Sequence, residues 1–415
     1  MSDLSSLVIP AGFRFGATTA GLKASGRPDF ALIVADEPAS AAAMFTANQV
    51  SAAPLAVDKI HLEMTGGKVR VVLINAGNAN CAAGQAGYDA ARECCLAAAR
   101  VFNCPPEQTF PSSTGIIGVP LPAEKLITKL PELSGTIDST PEKFAEFAQA
   151  ILTTDLVEKT AFARVEFAAE DGSENGTKCI HIAAACKGSG MIHPQLVPHA
   201  TMLVYILTDA EISAKELNNL LQGSVNKSFN RISVDGDTST NDTVLLLASG
   251  ASGIEIMAAN TAAYEQFAEA LDNVCTSLAR QIVADGEGVT HVVELNIQGA
   301  ASDADALKIA KAIAHSPLVK TAWAGCDPNW GRLMAAIGYS GAKIDPNKID
   351  IQFGQLPICH RGGRHPDYDP RAAHSYISQP EFTINIQLHL GEGSCTFWTT
   401  DLTHQYVSIN ADYST

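Results

Sequence analysis

A layered α/β fold, with helices covering packed sheets, is what this sequence of 415 residues predicts. Three observations point there. Short apolar runs rich in Val, Ile and Leu alternate with longer segments of helical periodicity. Hydrophobic residues make up 46% and charged residues 17%, which fills a core instead of leaving a chain unfolded. Ala and Gly are abundant, so helices can pack closely on sheets. The length suffices for two core-bearing units or one large layered domain.

Phe30–Ala35 and Val69–Ile74 read as strands. The run Asn75-Ala76-Gly77-Asn78-Ala79-Asn80 follows as a turn, because Asn and Gly tolerate left-handed backbone. It has neither the Gly-Lys-Ser/Thr end of a phosphate loop nor a three-glycine dinucleotide fingerprint. A helix spans Tyr88–Phe102. Pro111–Gly118 is rich in hydroxyls and reads in two ways. It is a Ser/Thr turn that satisfies its own backbone, or an oxyanion site where the Thr114 hydroxyl and the Gly115 N–H converge on one developing negative charge. Thr140-Pro141 caps and starts a helix toward Leu152 that ends at Thr153-Thr154-Asp155. The strand Ile180–Ala185 then delivers the chain to Lys187, which precedes Gly188-Ser189-Gly190. This lysine is either solvated or a holder of carboxylates.

Met202–Leu207 is a buried strand, so Thr201 stands where a loop becomes a strand. Cutting the chain there leaves a hydroxyl and a free amine on one residue, as a threonine nucleophile activated by its own amino terminus requires. A β-branched residue also opens strands for purely structural reasons. Ser213 and Glu216 form a capping box for a helix toward Phe229. Apolar stretches near Ile232 and Val244–Leu247 flank Asp235–Asp242. Its alternating acids suggest a calcium loop, but the glycine is misplaced and no closing Glu follows, so it reads as a polar turn at the rim of a site. A helix over Thr261–Ile282 ends at Asp285-Gly286-Glu287-Gly288. Glu287 there is a solvated turn residue or the partner of a substrate ammonium.

A strand from Thr290 to Ile297 leads to a helix capped by Ser302, with Asp305 three residues on, that runs to His315. Trp323–Arg332 holds two of the three tryptophans and reads as buried packing. His360, His365 and His374 lack the spacing of a helical ligand pair. The Gly, Arg and Pro between them predict a mobile loop without metal. Strands Phe382–Leu388 and Cys395–Thr399 follow, and Tyr406–Thr415 reads as an apolar strand that ties down the terminus.

The 28 basic and 44 acidic residues give a net charge of −16 without any Lys/Arg block, which excludes nucleic acid and anionic membranes as partners and favours a small solute. The ten cysteines lack any C-x-x-C pair and read as reduced core thiols of a cytosolic protein. No signal-like opening and no membrane-length apolar run occurs, so a cytoplasmic location is expected.

Several motifs, in order along nearly the whole chain, carry a resemblance. They are Gly12-Phe13, Asn75–Asn80, Ser113-Thr114-Gly115, Thr153-Thr154-Asp155, Lys187-Gly188-Ser189-Gly190-Met191-Ile192, Ala200-Thr201-Met202-Leu203, Val234–Asp242 and Asn410-Ala411-Asp412-Tyr413. Together they resemble the ornithine acetyltransferase family, the glutamate N-acetyltransferases of arginine biosynthesis. The resemblance implies a layered α/β/β/α sandwich of the ornithine acetyltransferase / L-aminopeptidase D-esterase type. It implies self-cleavage between Ala200 and Thr201 into an α chain of 1–200 and a β chain of 201–415, assembled as a heterotetramer of two α and two β chains.

Thr201 would be the nucleophile, its new α-amine having an intrinsic pKa of about 8 that suits it to accept the hydroxyl proton. Thr114 and Gly115 would form the oxyanion hole, and Thr153, Lys187, Thr201, Glu287, Asn410 and Thr415 would bind substrate. The acetyl group would pass from N2-acetylornithine to glutamate without metal or organic cofactor, with acetyl-CoA as a possible second donor. Two other readings use the same residues: an aminopeptidase or amidase that lets water take the acyl group, and an uncut amino-acid-binding protein. The chain departs from the family pattern in having extra length before Ala200, at Val197-Pro198-His199, and between Thr154 and Lys187.

Overall fold

The computed structural model of the chain describes residues 7–167, 178–194 and 202–412. Ala200, Thr201, Thr415 and the longer stretch Val197-Pro198-His199 lie outside the described residues. Two sheets with helices layered on them make up the described structure.

The first sheet is built around the long strand β2 (Phe30–Phe45). Its first half pairs antiparallel with β1 (Phe13–Thr18) and β3 (Lys68–Asn78), and its second half with β9 (Thr243–Ala248). Strand β4 (Thr109–Ile116) joins β3 in parallel, and β7 (Leu203–Thr208) joins β9 in parallel. Strands β6 (Lys178–Lys187) and β5 (Lys159–Phe167) complete the far edge.

The continuous apolar run of β7 follows from burial of both its faces. Leu203, Tyr205 and Leu207 pack with Phe144 and Phe147 of α4 (Pro141–Ala150). Val204 and Ile206 pack with α5 (Ala214–Lys227) and α6 (Thr261–Ala284). Helix α1 (Ala53–Thr65) lies on the α4 side, while α2 (Gly84–Phe102) and α3 (Ala123–Ser134) cover Leu32, Val34, Val71 and Leu73.

The second sheet has the order β13 (Gly363–Arg364), β12 (Leu356–His360), β11 (Asp350–Phe353), β14 (Glu381–Gln387), β10 (Val292–Ala300), β15 (Gly393–Thr400) and β8 (Ile232–Ser233). Alternation along β10 sends Val293, Leu295 and Ile297 into a core with α7 (Asp303–Ala314), α8 (Pro317–Ala324), α9 (Trp330–Tyr339) and α10 (Pro370–Ile377). Ile232 and Trp398 of this sheet share an apolar cluster with α6 and the first sheet, so the two layers are joined by a common core.

The layered α/β class is the one the sequence predicts, and three helix starts follow their sequence signals. Thr140, Ser213 and Ser302 each accept a backbone N–H three residues on. Four expectations need correction. Ser112–Ile116 is the end of strand β4 and not a turn, because Ser113 spends its hydroxyl on Asn75 Oδ1 at 2.7 Å instead of on its own backbone. Strand β3 likewise continues through Asn78, and the turn begins at Asn80 with φ 48°.

The His360–His374 stretch is ordered as the β12–β13 hairpin and helix α10, which Asp369 caps by accepting the Arg371 N–H at 2.8 Å. The expected terminal strand is instead helix α11 (His404–Asp412), where Tyr406 and Ile409, three residues apart, share its half-buried side. Among the tryptophans, Trp323 is buried as expected, while Trp330 at the start of α9 is half-buried. No helix among the described residues is long and apolar enough to cross a membrane.

Candidate active site

Strand register brings three of the motifs to one end of the first sheet. Lys187, the last residue of β6, pairs with Leu203, the first of β7, and Leu203 pairs with Thr243, the first of β9. Beside them the end of β4 sets Thr114 opposite Ala76 and Gly115 opposite Gly77. Gly115 has φ 129°, and a Cβ there would stand 2.4 Å from the carbonyl carbon of Gly77. Only glycine allows this approach.

A cavity of about 270 Å³ opens at this end. Its lining includes Thr114, Gly115, Thr153, Thr154, Lys187, Gly190, Met202, Leu203, Asn241, Asp242, Glu287 and Asn410. Every sequence-predicted site residue that is described therefore faces one space. Thr153 and Thr154 both line it, as do Met202 and Leu203, the two residues that follow Thr201.

Lys187 is buried, with its ammonium 3.4 Å from Thr114 Oγ1 and 4.0 Å from Asp155 Oδ2. Burial pushes its pKa down, and Asp155 opposes that. An ammonium has three donors, so Lys187 can bond Thr114 and still hold an anion in the cavity. Asp155 is the junction of this wall. It accepts the Gly188 N–H at 2.6 Å, the Thr153 N–H at 3.0 Å and the Lys159 ammonium at 2.7 Å. Burial raises its pKa, but the charges of Lys187 and Lys159 outweigh that and hold the carboxyl well below the usual range.

Lys159, fully buried, bridges on to Asp285 at 2.5 Å, and Asp285 accepts the Leu156 N–H. Burial depresses the Lys159 pKa, but the two carboxylates reverse that and raise it. This ion cluster locks the segment 153–159 against the end of β6 and the turn after α6.

The sequence reading missed Lys159, the ionic role of Asp155 and the role of Asn241. Asn241 donates to the carbonyls of Ala79 (2.5 Å) and Ser113 (2.8 Å) and so ties the 235–242 loop to the Thr114 corner. Asp235, expected in a polar rim turn, accepts the N–H groups of Met191 (2.7 Å) and Ile192 (2.9 Å). The signal of Asp155 and Asn241 was present only as membership of the quoted Thr153-Thr154-Asp155 and Val234–Asp242 motifs, and Lys159 belonged to neither. Asp235 of the second motif thus spends its carboxylate on backbone N–H groups.

The opposite wall is lighter. Glu287 is half-buried, and its carboxylate accepts the side-chain amide of the exposed Asn410 at 2.9 Å. Gly190 makes room for it, since a Cβ at that position would lie 2.4 Å from the Glu287 carboxylate. A cation, a carboxylate and a hydroxyl–glycine corner thus share one amino-acid-sized space.

A layered α/β fold with this cavity fits an enzyme that acts on a small molecule, and the comparisons give its family. The chain belongs to the ArgJ family, whose profile matches residues 14–415. It is 42% identical over 405 residues to the arginine biosynthesis bifunctional protein ArgJ of Geobacter sulfurreducens, covering 97% of this chain and 99% of that one. It is 41% identical over 408 residues to the protein of the same name from Symbiobacterium thermophilum, covering 98% of each. Among solved structures, the crystal structure of the Bacillus halodurans arginine biosynthesis bifunctional protein ArgJ aligns with a TM-score of 0.49 at 41% identity, covering 51% of this chain and all of that one.

Proposed function

We propose that this chain cuts itself between Ala200 and Thr201, that the 1–200 and 201–415 pieces stay together, and that Thr201 carries an acetyl group from N2-acetylornithine to glutamate. The observation that carries this reading is the single cavity in which Thr114, Gly115, Lys187, Glu287 and Asn410 meet beside Met202 and Leu203. The α-amine of Thr201 would accept the proton of its own hydroxyl as Oγ1 attacks the acetyl carbonyl. Thr114 accepts a hydrogen bond from Lys187, so its hydroxyl hydrogen is free to point at the developing oxyanion, with the Gly115 N–H as second donor. Ornithine leaves with the proton, and the amine of glutamate then attacks the acetyl-threonine.

Lys187 would hold the α-carboxylate common to both substrates. Glu287 and Asn410 would meet the side-chain ends that differ, an ammonium in one and a carboxylate in the other, with Thr153 and Thr415 adding neutral hydrogen bonds. The proposed reaction uses no metal or organic cofactor. Acetyl-CoA is proposed as a second acetyl donor to the same threonine. We place the enzyme in the cytoplasm as a heterotetramer of two α and two β chains. Incubation of the purified protein with N2-acetylornithine, with and without glutamate, tests the reading. Glutamate-dependent N-acetylglutamate is expected. Free acetate formed equally in both would move the protein to the amidase class, and no acetyl release at all to a binding protein.

A further inference from the structure

Three of the ten cysteines are partly exposed, Cys104, Cys179 and Cys326, and none of them lines the cavity. Cys326 follows helix α8 in left-handed backbone, with φ 49°. Its Sγ lies 3.7 Å from His291 Nε2, and His291 Nδ1 lies 3.2 Å from Asp401 Oδ2. His291 is nine-tenths buried, and Asp401 is buried too. Asp401 also accepts the N–H of Thr290 at 3.0 Å and of His291 at 3.1 Å, and the Thr290 hydroxyl donates to it. With a carboxylate and a committed hydroxyl oxygen around Nδ1, that nitrogen carries the proton. Nε2 therefore turns a lone pair toward the thiol.

Cys179 repeats the arrangement on the first sheet. Its Sγ is 3.8 Å from His181 Nε2, with His181 Nδ1 3.1 Å from Asp209 Oδ2, but this imidazole is more exposed, at 18%. Cys104 shows no such partner among the described hydrogen bonds.

We propose that Cys326 is a base-assisted thiol and a modification site for small hydroperoxides, with Cys179 as a weaker second site. His291 Nε2 takes the thiol proton as sulfur attacks one peroxide oxygen. An S–O bond forms and the O–O bond breaks. Sulfur is oxidised to the sulfenic acid while the peroxide is reduced, and the leaving oxygen, a hydroxide from hydrogen peroxide or an alkoxide from an organic hydroperoxide, takes the proton back from His291 and departs as water or the alcohol. A base held against the sulfur by a buried carboxylate is what separates this thiol from one that is merely accessible.

The test treats the full-length protein with limiting hydrogen peroxide, traps sulfenic acid with dimedone and reads each site by peptide mass spectrometry. Cys104 serves as the reference in the same digest. Cys326 is expected to label at least about tenfold faster than Cys104, within the range of general-base assistance, with Cys179 between them. His291→Gln should bring Cys326 down to the Cys104 rate and leave Cys179 unchanged. His181→Gln, a second variant in case the first does not fold, should lower Cys179 alone. Equal labelling of Cys326 and Cys104 in the wild-type protein overturns the proposal, and so does a Cys326 rate that a folded His291→Gln variant leaves untouched.

Discussion

Lys187 and Glu287 face the same cavity, yet they are supported in opposite ways. Lys187 ends a central strand and sits beside a buried cluster of Asp155, Lys159 and Asp285 that also clamps the Thr153 and Gly188 backbone. Glu287 lies in a turn, half-buried, and its side chain is bonded to one exposed amide on a terminal helix. The difference fits a site that takes two substrates in turn. On the proposed function, the shared α-carboxylate would meet a fixed charge, and the differing ends would meet groups that can rearrange. Pre-organisation is spent where the substrates are alike.

The largest effect is expected where the fixed wall is broken. Asp155→Asn removes the carboxylate that Lys159 and Lys187 share and should cost about 3–5 kcal/mol of stability, read as a fall in Tm. The same group sets an acid limit. Its folded pKa is depressed, so its stabilisation is present above the ordinary carboxylate value near 4 and is lost as pH falls from there toward the folded value. Melting temperatures below about pH 4 should fall steeply in the wild type and less so in the Asn variant. A wild-type protein indifferent to acid would show that the two walls do not differ in this way.

Lys187→Met leaves Asp155 paired with Lys159, so the chain should fold while kcat/KM drops on the order of 10²- to 10³-fold for both substrates. An equal loss for N2-acetylornithine and glutamate is the mark of a shared contact. Gly115→Ala drives a Cβ into the Gly77 backbone and should displace the Thr114 corner, lowering kcat about 10²-fold with little change in KM. The smallest effect belongs to the light wall. Asn410→Ala should raise KM only about three- to tenfold, near 1 kcal/mol, unequally for the two substrates and without loss of Tm. An Asn410 variant as damaged as the Lys187 variant would erase the distinction.

The contrast also marks what was legible in the sequence. The β7 run and the capped helices could be read because burial and capping leave local patterns of period and spacing. Thr114, Gly115, Lys187 and Asn410 were found as motif members and Glu287 as a glycine-flanked turn residue; strand register brings Thr114, Gly115 and Lys187 together, and the turn after α6 and the terminal helix bring Glu287 and Asn410 to them, which no local pattern states. The Asp155–Lys159–Asp285 cluster was not legible, since Asp285 meets Lys159 across 126 positions of chain. The terminal helix was misread because its few apolar residues suit either period, and strand β4 because Ser113 takes a distant partner, Asn75, in place of a local one.

On the proposed function, Thr201 becomes a free amino-terminal nucleophile at this cavity and carries the acetyl group. The most direct test is the intact mass of the purified protein, before and after brief exposure to N2-acetylornithine without glutamate. Two fragments divided between Ala200 and Thr201 are expected, with one added acetyl group on the 201–415 fragment that disappears when glutamate is supplied. A single uncut chain, or two fragments that never gain the acetyl group, would contradict that function.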